Sequence, residues 1–138
     1  MRDRLYRVAL AIIYIGLAGA FVAGFAIGFI MGYTGSDLTD LLSATTMILG
    51  GATLAGLILL AIALGTKWPY IVVAGAFLNG IANVLSSQSL SVYGYGIMTI
   101  GYLGTAYHLW RHVGDIYAKI AAILMAANVI GYIILLLF

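Results

Sequence analysis

The chain has 138 residues, 64% of them hydrophobic and 7% charged, with no cysteine and a formal net charge of +2. Such a composition lies far outside the soluble globular range and belongs in a bilayer, while the missing thiols exclude a disulfide framework, a thiolate metal site and a cysteine nucleophile. Nucleic acid is not an expected partner, because Arg2, Arg4 and Arg7 crowd the N-terminus, where membrane orientation accounts for them.

A membrane-spanning helix needs about 20 apolar residues, and the polar breaks divide residues 1–138 into five segments of roughly that size, one all-α transmembrane domain. The first runs over about 7–33. Its apolar stretch is too long for the h-region of a signal peptide, so it reads as a retained helix. Gly16, Ala20, Gly24, Gly28 and Gly32 recur every four residues and form a small-residue groove down one side. Phe21, Phe25, Phe29 and Tyr33 stand one residue further on as an aromatic wall, so the pattern reads as a docking surface for another helix.

Polar residues 34–40 form a turn, with Asp40 or Ser43 as the expected cap of a second helix over about 41–65. Lys67, Trp68 and Tyr70 then supply an interfacial anchor, and Pro69 suits the first turn of a third helix over about 70–87. Residues 86–91, Ser-Ser-Gln-Ser-Leu-Ser, read as an outer loop or a re-entrant kink. A fourth helix over about 92–110 ends near Gly114, which suits a C-cap, and a fifth covers about 116–138.

The positive-inside rule supports this parse. With the N-terminus cytoplasmic, the inner connections and the N-terminal arm carry every Lys and Arg, the outer connections carry none, and the C-terminus lies on the outer side. A four-span alternative, in which the third segment dips in and returns, places Arg111 and Lys119 outside and breaks the charge pattern.

Few side chains at membrane depth can carry chemistry. Asn79 and Asn83 share one helical face and Asn128 lies near the middle of the fifth helix. They either tie helices together or, continued outward through Gln88, line a path for a neutral solute. His108 and His112 are one turn apart on one face. That arrangement cannot ligate a haem from both sides, and with Asp115 as the nearest carboxylate it makes no metal site. These histidines read as interfacial residues, with contact to a quinone or haem as the alternative.

Pumps and ion-coupled carriers place Asp, Glu, Lys or His at depth, and every charged residue here lies near a segment end. Catalysis through an acid/base pair, a triad or a metal centre lacks its residues for the same reason. The expected partners are the bilayer and other membrane chains or copies of this one, with no cofactor. The sequence thus points to a non-enzymatic, membrane-embedded structural or accessory subunit of a larger complex, of the energy-conserving kind among others. The alternative is a homo-oligomeric channel or facilitator for a small neutral solute.

Overall fold

A computed structural model describes residues 2–137, which are all-helical, with no strand among them. The helices are α1 (Arg2–Thr34), α2 (Thr39–Leu64), α3 (Trp68–Val84), α4 (Gln88–His108) and α5 (Ile116–Leu137), and α4 continues as a π-helical turn over Leu109–Val113. Three of them, over Asp3–Thr34, Thr39–Leu64 and Ile116–Ile134, are long and apolar enough to cross a membrane. Helix α3 is apolar but shorter, about 25 Å at 1.5 Å per residue. Helix α4 owes its lower apolarity to the Ser, Gln, Gly and Tyr residues spread along it.

The helices pair as two antiparallel hairpins, α1 with α2 and α3 with α4, and α5 packs against α4 and α1 while α2 touches α3. Each connection is short, with its local chemistry visible. In the α1–α2 turn Asp37 Oδ1 accepts from the Thr39 N–H at 3.1 Å and from the Thr39 hydroxyl at 2.6 Å. Asp37 therefore serves the start of α2, whereas Asp40 and Ser43, expected from sequence as caps, lie inside the helix. Helix α2 ends at Gly65, left-handed at φ 66°, whose N–H reaches the Ala61 carbonyl. Pro69 occupies the first turn of α3, as its missing N–H favours.

The serine-rich stretch is a connection of only three residues, 85–87, with its remainder inside α4. Helix α3 runs to Val84, Ser87 Oγ accepts from the Leu90 N–H at 3.3 Å, and Gln88 already opens α4. At the other end the π turn closes on Gly114 at φ 75°, the expected C-cap. Asp115 then starts α5 by accepting from the Ala118 N–H at 2.6 Å.

Asp37 is fully exposed, and its two bonds from Thr39 hold its carboxyl below the usual carboxylate range. A depressed folded-state pKa contributes stability above the unfolded value of about 3.9 and loses it as pH falls through the folded value. Asp37 is thus expected to titrate below 3.9 when followed by its carboxyl ¹³C shift, and a midpoint at or above that value would remove the turn bonds from this account.

Packing is uneven along the bundle axis. Ile13, Leu57, Leu60, Val72, Leu109 and Met125 are fully buried and join α1 to α5 into one core. This core lies toward the end that carries the α2–α3 and α4–α5 connections. At the opposite end, the last three turns of α1 and the first three of α2 leave most of their side chains exposed.

The closest backbone approach is between α3 and α4. A Cβ placed on Gly75 would lie 2.7 Å from the Met98 nitrogen and 2.8 Å from the Gly94 carbonyl oxygen. One on Gly101 would lie 2.5 Å from the Val72 nitrogen, and one on Gly104 would enter the Trp68 ring. Backbone proximity and the dispersion contacts it permits hold this hairpin together. The α1–α2 seam is similar but less continuous: Gly16 abuts Thr53, and Gly56 meets Ile13 and the Ala9 carbonyl.

Candidate functional site

Charged side chains keep to the helix ends. Arg4 and Arg7 lie in the first turns of α1, Asp40 in the first turn of α2, Lys119 in the first turn of α5, and Lys67, Arg111 and Asp115 in or beside connections. Among the described residues no group of three or more His, Cys, Asp or Glu could hold a metal ion. Away from the helix ends the polar side chains are neutral, chiefly threonines, tyrosines and amides.

The groove on α1 divides in two. Gly16 is consumed within the chain by α2, and Ala20 is half-buried. Gly24, Gly28 and Gly32 have nothing within 4 Å of where a Cβ would stand. The aromatic wall beside them is equally unpartnered, with Phe25 79% and Tyr33 84% exposed and Phe29 stacked on Tyr33 at 6.2 Å. Opposite, in the first half of α2, Gly50 and Gly51 are also open.

The four amides do not come together. Asn79 accepts a 2.9 Å bond from the Ser91 hydroxyl across the α3–α4 seam. Asn83 and Gln88 are exposed near the α3–α4 turn. Asn128 instead lines a cavity of about 230 Å³ where all five helices converge, together with Tyr102, Tyr132, Met98 and Thr53. Tyr102 is 3% exposed, and the Tyr102 and Tyr132 rings are 6.1 Å apart beside Asn128. Thr53 adds no free donor, because its hydroxyl is spent on the Leu49 carbonyl at 2.8 Å.

Sequence periodicity pairs Asn128 with Tyr132, four residues on, but carries no signal that brings Tyr102 of another helix beside them. The α3–α4 glycine seam was likewise missed, for a definite reason. The four-residue spacing of Ala76 and Gly80 marks one face of α3, yet Gly80 is open and the contact uses Gly75, Val72 and Asn79 one residue earlier.

The histidines behave as neighbours on one face. Their rings are 4.9 Å apart, His112 is exposed, and Lys119 Nζ sits 5.2 Å above the Trp110 ring close by. Such a cluster of amphipathic and cationic groups suits a headgroup interface. A cleft of about 660 Å³ opens at the same end between α1 and α5, lined by Tyr6, Arg7, Tyr14, Asp115 and Tyr117. Its polar groups tie the two helices: the Tyr6 hydroxyl donates to Asp115 Oδ2 at 3.3 Å, and the Tyr14 hydroxyl donates to the Tyr117 carbonyl. Comparison with family models, curated proteins and solved structures gives no match for this chain.

Proposed function

We propose that this chain is a non-enzymatic, membrane-embedded subunit of a larger membrane complex, a structural or accessory member of an energy-conserving assembly being one form of it. The observation that carries the reading is the open half of α1. Gly24, Gly28 and Gly32 lie unpartnered on an apolar helix beside an exposed aromatic ridge. Small residues at depth are what helix partners use for close approach, whereas lipid tails gain nothing from them that a larger apolar side chain would not give. The occupant we assign is a helix of another membrane chain.

Two further points support it. The chain has no titratable acid or amine at depth to couple transport to a gradient. The connections between its helices are also short. In this reading all five helices span, the N-terminus is cytoplasmic and the C-terminus is on the outer side. Support for five rather than four spans comes from the α3–α4 seam, where contacts from Trp68 with Gly104 to Asn79 with Ser91 pair the two helices along most of their lengths. A third segment that turned back halfway would have no such partner.

The other reading is a homo-oligomeric channel for a small neutral solute; within one chain Asn79, Asn83, Gln88 and Asn128 share no path. Purification from native membranes under mild detergent tests the choice. Other chains in fixed stoichiometry are expected to accompany this one, and a stable species made of this chain alone would contradict the proposal.

A further inference from the structure

The cavity where the five helices converge has the shape and chemistry of a ligand site, and it lies apart from the docking face. We infer that it binds the ring of a neutral, lipid-soluble quinone, with the tail leaving toward the bilayer. Size is the first argument. A cavity of about 150 Å³ accommodates benzene, so 230 Å³ has room for a substituted ring.

Charge is the second, because no ionised residue lines the cavity, and an ionic ligand would remain uncompensated at depth. Hydrogen bonding is the third. Thr53 and Thr46 spend their hydroxyls on the Leu49 and Leu42 carbonyls, so the polar groups left on the wall are the neighbouring Tyr102 and Tyr132 hydroxyls and the Asn128 amide, whose hydrogen bonds a ligand would have to take over. Donors of that kind suit a flat ring carrying two carbonyl acceptors, which a saturated acyl chain lacks. Tyrosine ring faces and the Met98 thioether supply the matching aromatic and polarisable wall.

Access is the fourth argument. Ala20 and Gly50 both line the cavity, and Gly50 has open space where a side chain would be. A mouth edged by such small residues gives a tail a way out between α1 and α2. Tyr102 lies six residues before His108, about 9 Å along α4, so this site is distinct from the interfacial histidines. The inference does not depend on the assembly reading, because binding is measured on the isolated chain, and either can fail alone.

The test is gel filtration of the detergent-solubilised full chain with decylbenzoquinone, reading quinone absorbance that co-elutes with protein above a protein-free micelle blank. Saturable retention approaching one quinone per chain is expected. Tyr102→Phe and Asn128→Leu should each weaken it at least tenfold, and Gly50→Leu, which plugs the mouth but leaves every polar group in place, should abolish it. Decylbenzene, with the tail and no carbonyls, should not compete. Retention equal to the blank, equal retention in parent and Gly50→Leu, or equal displacement by decylbenzene would each overturn the inference. Because Gly50 is exposed and unpacked, its variant remains informative even if a cavity-wall variant fails to fold.

Discussion

Gly101→Ala is expected to lower the unfolding free energy of the chain in mixed micelles by about 3 kcal/mol, the upper end of the usual cost of overpacking. The added Cβ would sit 2.5 Å from the Val72 backbone nitrogen, and neither helix can retreat by a side-chain rotation. Separating α3 from α4 would also lengthen the Asn79–Ser91 bond and draw Val72 out of the core. Gly96→Ala on the same helix is the control. Nothing stands within 4 Å of its Cβ position, so the gain in helix propensity, about 0.5–1 kcal/mol, should stabilise the chain slightly. Equal effects of the two substitutions, followed by far-UV circular dichroism during denaturant titration, would remove the α3–α4 seam as the main internal contact.

Gly24→Leu has the reverse signature. Its site is open, so the isolated chain should be no less stable than the parent and, as with Gly96→Ala, slightly stabilised by helix propensity. In native membranes, however, the bulk would hold a partner helix away, and recovery of associated chains should fall at least tenfold. His108→Leu and His112→Leu should leave that recovery near the parental level. If the three variants behaved alike, the open half of α1 would be a lipid-facing surface.

These two glycines mark what the sequence does and does not make legible. Composition and polar breaks locate the helices to within a few residues, and Pro69 and Gly114 act where their backbone preferences place them. Local capping was misplaced by three residues, because Asp37 forms its bonds from outside the helix whereas Asp40 had the more conventional position within the pattern. Four-residue spacing identified small faces but not which of them would be filled from within. Gly16 and Gly28 look alike in sequence, and only the fold shows that α2 covers one and leaves the other open.

The polar residues follow the same rule. Asn79, Asn83 and Asn128 are the same side chain in three settings: one bonded across a seam, one exposed near a turn, one in a cavity with two tyrosines. Spacing along one helix predicts which residues share a face. It does not predict which face meets which neighbour, because that is decided by how two hairpins and a fifth helix settle against each other.

The central claim is that the open groove of α1 holds a helix of another chain, and photo-crosslinking in native membranes tests it most directly. A photoreactive amino acid at Phe25, on the exposed ridge beside Gly24 and Gly28, should on illumination give a discrete protein adduct, with a transmembrane peptide of a different chain identified by mass spectrometry. Adducts confined to lipid, or to a second copy of this chain, would contradict it.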